Sequence, residues 1–258
     1  MSESTFRAFS TVLCLSLMVS LGACAKATQD PSTAEYKSKE VSDPIEPVNR
    51  FIFGFNDVLD RFLIEPVAKG YNYVLPQMVR DSVQSFMRNL KSPIIVGNDL
   101  LQGKVGDAGV ATARFVINTT VGIVGLADVA STQGLKYKDA DLGETLAVWG
   151  VGNGFYLVLP ILGPSSLRDA TGTVVDAYVD PVYLYSHNTD RMWIYYTREG
   201  IQGLDDRSRL IKPIDDMRRN SIDYYAAARS AYQQHRAAFI RGDRPDDMGA
   251  DSSNTDHP

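Results

Sequence analysis

The chain has 258 residues, of which 44% are hydrophobic and 22% charged, a globular composition long enough for one large domain or two small ones. With 26 Lys and Arg against 31 Asp and Glu the formal net charge is −5, which argues against a nucleic-acid partner, since such proteins usually carry a basic excess or stripe. Two cysteines and three histidines exclude a disulfide scaffold and leave little material for a Cys/His metal site.

The first element is a processing signal. Phe9 to Leu21 is uncharged and largely apolar, yet shorter than the ~20 apolar residues a bilayer span needs. It ends in Leu21-Gly22-Ala23-Cys24 and is followed by polar residues. An apolar core, small residues and then Cys resembles a bacterial lipoprotein signal with its lipobox, so residues 1–23 are expected to be removed and Cys24 to become a lipidated N-terminus. The alternative is a plain secretory signal in which Cys24 is incidental. Two or more acyl chains hold a protein stably at a membrane, at ~0.8 kcal/mol per buried methylene. Ala25 follows Cys24, rather than the Asp associated with inner-membrane retention in enteric bacteria, which favours the outer membrane in its periplasmic leaflet. Residues 24–42 are polar and aperiodic and read as a flexible tether. Residues 243–258 carry acidic and turn-forming residues with almost nothing apolar and read as a disordered acidic tail. Residues 43–242 are left as the folded domain.

Within that domain Pro44, Pro47, Pro66, Pro76 and Pro93 punctuate helical stretches, and Ser92-Pro93 has the form of a helix cap and first turn. Val79, Val83, Phe86, Met87 and Leu90 recur at helical spacing, with Arg80, Asp81, Gln84, Arg88 and Lys91 on the opposite face. Asp190 to Phe239 shows a similar pattern, placing Ile214, Met217, Ile222, Tyr225 and Tyr232 on one face. Period-2 alternation is scarce, with its best case near Phe155 to Leu159. The domain therefore reads as mainly α, with at most one short hairpin. Phe115 to Ala127 and Thr145 to Leu167 contain no charged residue but are interrupted by Gly and Pro, so neither is a simple spanning helix. They are either segments lying in lipid or the buried core of a water-soluble domain.

Enzyme signatures are missing. There is no H-E-x-x-H, G-x-S-x-G or G-x-x-x-x-G-K-[ST] pattern, and Phe155 occupies the third glycine's place after Gly150 and Gly152 in the dinucleotide fingerprint. Ser165 or Ser166 with Asp169 and His187 could be drawn as a triad, but the Ser pair before Leu167-Arg168-Asp169 reads more naturally as a helix N-cap. No cofactor, metal or catalytic residue is expected.

One set of motifs carries a family resemblance. Asp43-Pro44-Ile45-Glu46-Pro47-Val48-Asn49-Arg50, continuing to Phe55 and Asn56, is followed in order by Arg114 to Thr119 with Asn118, by Val121 to Ala130, by Gly143 to Gly152, and by Tyr156 to Pro160 leading into Gly163, Arg168-Asp169 and Gly172. This resembles the MlaA/VacJ family of outer-membrane phospholipid-transport lipoproteins. The resemblance implies a single helical ring-like domain embedded in the inner leaflet of the outer membrane around an amphipathic channel. It implies partners as well: glycerophospholipid, a trimeric outer-membrane porin and a soluble MlaC-like periplasmic lipid carrier. The implied activity is removal of mislocalised glycerophospholipid from the outer leaflet, without catalysis; a non-transporting scaffold lipoprotein associated with porins and a periplasmic lipid hydrolase are the competing readings. The motif residues Asn49, Arg50, Phe55, Asn56 and Asn118 are candidates for the channel and its gate, or else cap and pack. Arg168 and Asp169 form either a structural ion pair or a phosphate contact, and Gly150, Gly152 and Gly154 either a hinge or tight turns.

Overall fold

The structure, a computed structural model, describes residues 42–242. The signal, Cys24, the tether and the acidic tail lie outside the described residues. Helix α1 (Glu46–Leu59) begins with Pro47 in its first turn, where a missing N–H costs nothing. It runs through a π-helical turn (Asp60–Ile64) into α2 (Glu65–Val74) with right-handed helical dihedrals at both junctions. Pro66 therefore does not end the helix. A proline cannot donate to the carbonyl four residues back and its ring crowds that carbonyl; the widened turn before it, closed by the Glu65 N–H on the Asp60 carbonyl, makes the room.

Pro76 then separates α2 from α3 (Gln77–Leu101), and Pro93 lies inside α3 rather than at a helix start. The expected cap at Ser92 is not formed: its hydroxyl donates back to the Arg88 carbonyl at 3.2 Å. Helix α4 (Val105–Thr120) packs along α3, burying Ala108 and Ala111, whose small side chains permit close approach. Short helices α5 (Val129–Thr132) and α6 (Leu142–Val148) are capped by Asp128 and Asp141. Strands β1 (Tyr156–Leu159) and β2 (Gly163–Ser166) pair antiparallel, Tyr156 opposite Ser166, and form the single hairpin among the described residues.

The C-terminal half is helical: α7 (Leu167–Val179), α8 (Pro181–Asn188), α9 (Met192–Arg209), α10 (Ile211–Asn220) and α11 (Tyr224–Arg241). The pattern read over Asp190 to Phe239 as one face is thus divided among three helices, and Ile222 falls in a turn, fully exposed. The domain is mainly α, and among the described residues no helix is long and apolar enough to cross a membrane. One apolar cluster, Tyr156, Val158 and Tyr225 with Ile52 and Phe53 against it, joins α1, the hairpin and α11; a second, Ile95, Ala111 and Ala140, joins α3 and α4.

Candidate functional site

The usual distribution of burial is inverted. Among the described residues, buried polar and charged side chains outnumber buried apolar ones, while large apolar side chains crowd the surface. On α1 and the π turn, Val48, Phe51, Phe55, Val58 and Phe62 follow one another at intervals of three and four and are all exposed, Phe51 at 78% and Phe62 at 81%. Phe55 of the first motif belongs to this stripe. Over these residues the stripe runs for about 20 Å at ~1.5 Å per residue. Contiguous exposed apolar surface of this extent marks an interaction with a membrane or partner.

The two uncharged segments end in exposed apolar tips. The turn after α4 presents Val121, Ile123, Val124 and Leu126, and the hairpin turn presents Ile161 and Leu162. Ile123, Val124 and Ile161 have φ of +52°, +59° and +69°, a backbone conformation that β-branched residues rarely adopt. Neither tip is buried, whereas the second segment also supplies Tyr156 and Val158 to the apolar cluster, so each segment combines packed residues with an exposed apolar tip.

Three of the sequence candidates hold these tips. The Asn49 carboxamide donates to the Tyr156 carbonyl at 3.0 Å and accepts the Val158 N–H at 2.9 Å. Two helical turns on, Asn56 donates to the Leu159 carbonyl at 2.9 Å and accepts the Ile161 N–H at 2.8 Å. The two amides thus supply hydrogen bonds along the β1 edge that β2 does not occupy. Buried Asn118 donates to Asp128 at 3.0 Å and accepts the Ala130 N–H at 2.9 Å, fixing the corner after the other tip. Asp128 also receives Arg114 at 2.8 Å, and its carboxyl is held below the usual range: burial opposes this, but Ser131, Arg114 and Asn118 outweigh it. Arg50, by contrast, is half exposed, pairing with Glu46 and Asp223 at 2.7 Å each and lying over the Tyr225 ring.

At the base of the hairpin, buried Arg168 pairs with Asp169 at 2.9 Å; Asp169 also takes Arg236 at 3.1 Å and the Tyr232 hydroxyl at 2.5 Å. Ser166 caps α7 through the Asp169 N–H at 3.1 Å, as the sequence reading of a helix start expects, and His187 stacks on Tyr183 in α8. Gly150 and Gly154 occupy the left-handed region, and a Cβ at Gly154 would lie 2.9 Å from Leu167; Gly152 has neither constraint.

A charged interior ties the helices together. Arg218 on α10 bonds Asp57, Asp60 and Glu65 at 2.9 to 3.0 Å across the π turn, and Arg207 on α9 grips Asp60 at 2.7 Å. Burial would raise the Asp60 carboxyl, but hydrogen bonds from Arg207 and Arg218 outweigh it and hold it low.

None of the sequence candidates lines a polar cleft found among the described residues. A cleft of about 170 Å³ lies between α3 and α9, with Gln84, Arg88 and Lys91 on one wall, Gln202, Asp205 and Asp206 on the other, and Tyr137 and Asp139 of the α5–α6 connection beside them. Lys91 pairs with Asp139 at 2.8 Å, whose field, with that of Tyr137, raises its ammonium against the opposing effect of burial. The Asp205 carboxylate is taken by Arg209 and the Tyr71 hydroxyl. The signal for this cleft was the polar face of α3, which sequence pattern alone reads as solvated but which here turns toward other helices.

Comparison with known proteins agrees with this geometry. The model of the MlaA lipoprotein family matches residues 41–239. An uncharacterized protein of Rickettsia prowazekii (strain Madrid E) is 39% identical over 203 residues, 78% of this chain and 79% of the relative. Proteins called intermembrane phospholipid transport system lipoprotein MlaA are 34% identical in Shigella flexneri and 32% identical in Escherichia coli (strain K12), each match covering 78% of this chain and 79% of the relative. A solved structure described as "Structural basis for maintenance of bacterial outer membrane lipid asymmetry" superposes with a TM-score of 0.68 at 33% identity, covering 77% of this chain and 98% of that one.

Proposed function

The chain belongs to the MlaA lipoprotein family, and from that premise we propose that it removes mislocalised glycerophospholipids from the outer leaflet of the outer membrane and passes them to a soluble periplasmic carrier. The observation that carries this reading is the inverted burial: among the described residues, an apolar exterior with no helix able to span a membrane, around a charged interior. Such a body is matched to one leaflet. Each large apolar side chain moved from water into hydrocarbon contributes ~1.5–3 kcal/mol, so the α1 stripe and the two tips would hold the domain in lipid. Cys24, as a lipidated N-terminus, would tether the domain to the inner leaflet of the outer membrane.

The route for lipid follows from the same inversion. A phosphate cannot cross hydrocarbon without compensation for its lost hydration, whereas the acyl tails need no shelter there. A polar path through the domain would carry the headgroup while the tails stay in membrane or apolar surface. Ser166 is occupied as a helix cap, which supports reading the protein as a conduit rather than an enzyme. A trimeric porin is the partner proposed for the exposed apolar surface that lipid does not cover.

The test is the phospholipid content of the outer leaflet in cells lacking the gene, compared with the same cells carrying the native protein, in a background without a compensating phospholipase. Accumulation that the native protein reverses supports removal of misplaced lipid. No accumulation would make a porin-associated scaffold the better reading.

A further inference from the structure

The cleft between α3 and α9 has two chemically different walls. On α3, the Arg88 guanidinium lies over the Tyr137 ring, 4.4 Å from its centroid, and among the described residues it forms no ion pair. A guanidinium that rests over an aromatic ring without a carboxylate partner retains N–H donors for a phosphate. Lys91, one turn further, is already paired with Asp139 at 2.8 Å, which leaves Arg88 as the cation on this wall without an ion pair among the described residues. On α9, Asp206 likewise forms no ion pair among the described residues, and the buried Gln202 Oε1 accepts no hydrogen bond. A buried acceptor without a donor is costly, ~1–3 kcal/mol, and its place in a cleft suggests a ligand donor.

Size narrows the ligand. At about 170 Å³ the cleft far exceeds the ~10–15 Å³ needed to seat one water, yet it falls short of the ~300–1,000 Å³ that encloses a whole small-molecule ligand. It suits a headgroup whose tails remain outside. Cationic donors on one wall and acceptors on the other would suit a headgroup that carries both signs of charge.

We propose that this cleft selects zwitterionic, phosphoethanolamine-type phospholipids over anionic ones, Arg88 taking the phosphate and Asp206 with Gln202 Oε1 taking the ammonium group. The proposal rests on the lipid-conduit reading and adds headgroup selection to it. An anionic headgroup such as phosphoglycerol would meet the same cation but leave Gln202 and Asp206 without an ammonium partner, and Asp206 would repel it. Arg88 therefore sets how much lipid is held, and Asp206 sets which lipid.

The test uses the full-length lipidated protein in detergent, stripped of lipid and offered phosphatidylethanolamine and phosphatidylglycerol in equal amounts, with bound lipid counted by native mass spectrometry. Transfer of labelled lipid between vesicles is measured alongside. The wild type should favour phosphatidylethanolamine by about tenfold, the factor that one ordinary charge-assisted hydrogen bond supplies. Asp206→Asn should bring the ratio close to one without lowering total bound lipid, and Asp206→Glu should restore it. Arg88→Gln should lower binding of both lipids together. Soluble phosphoethanolamine should compete only weakly; if it binds as tightly as the lipid, the cleft serves a soluble ligand and the proposal fails. An unchanged ratio in Asp206→Asn and unchanged binding in Arg88→Gln, with transfer intact, would overturn headgroup selection while leaving the conduit standing. A wild type that neither binds nor transfers lipid would overturn both.

Discussion

Asn56, on the first helix, accepts the backbone N–H of Ile161 at 2.8 Å, and so anchors the exposed hairpin tip to a residue 105 positions away. Asn49 does the same for the base of β1 from two turns earlier. A two-stranded hairpin is marginal alone; here a helix supplies part of the missing third strand through two side-chain amides. Asn56→Ala should cost ~0.5–1.5 kcal/mol, the net worth of a hydrogen bond at a partly exposed site, because the Leu159 carbonyl and Ile161 N–H lose their partner. Asn49→Ala should cost at least as much, since the site is buried. Thermal unfolding, with limited proteolysis at the hairpin tip, reads both effects.

Gly172 and Gly143 set the crossing of α6 and α7. A Cβ on Gly172 would lie 2.4 Å from the Gly143 backbone nitrogen, a contact that backbone must move to relieve. Gly172→Ala should destabilise by ~1–3 kcal/mol or more, as overpacking does. Gly152→Ala, with open space and no left-handed backbone, should leave the melting temperature nearly unchanged.

Much of this was legible in the sequence. The mainly helical class, the single hairpin after Phe155 and the Ser166 cap all follow from local pattern. What local pattern does not give is which solvent each helix face meets. Periodicity places Val79 opposite Arg80 and Arg88 on α3, but it cannot tell that the charged side packs toward α9 while Met78 and Val79 face outward. Nor does a proline announce whether a neighbouring π turn will absorb it, as at Pro66, or whether the helix will simply continue, as at Pro93. Asn49 and Asn56 were visible as motif residues, yet their shared partner lies about a hundred residues later, beyond any local signal. Arg88 and Asp206 belong to no motif in the sequence and became a pair only through the packing of α3 against α9.

The apolar stripe should govern membrane attachment without supporting the fold. Phe51→Ser and Phe62→Ser, made in a Cys24→Ala background that removes the proposed anchor, should leave the melting temperature within a degree or two, while vesicle flotation falls by roughly tenfold or more per residue, given ~1.5–3 kcal/mol for each side chain. Ile161→Gly should separate strain from function at the hairpin tip. It relaxes a left-handed backbone position, and so should not destabilise the hairpin, yet it removes an apolar contact and should weaken flotation.

Acid should loosen the interior at a defined place. Burial would raise the Asp141 carboxyl, but the Arg236 fork, with bonds of 2.6 and 2.7 Å, outweighs it and holds the carboxyl below its ordinary value. A carboxyl depressed in the folded state stabilises fully above the unfolded value, ~4, and loses that contribution as pH falls through the folded value. The melting temperature should therefore be flat with respect to this pair near neutrality and decline below about pH 4. Arg236→Gln should lower it at neutral pH and reduce the decline in acid.

The central claim is that the protein conducts phospholipid out of the membrane that holds it. Its most direct test places purified, lipidated protein in vesicles containing labelled phospholipid and measures the label reaching a soluble lipid-binding acceptor. The account predicts transfer that rises with the amount of protein and is lost when the hairpin is unclamped by Asn49→Ala with Asn56→Ala. Transfer no faster than from protein-free vesicles, by folded and membrane-inserted protein with a competent acceptor present, would contradict it.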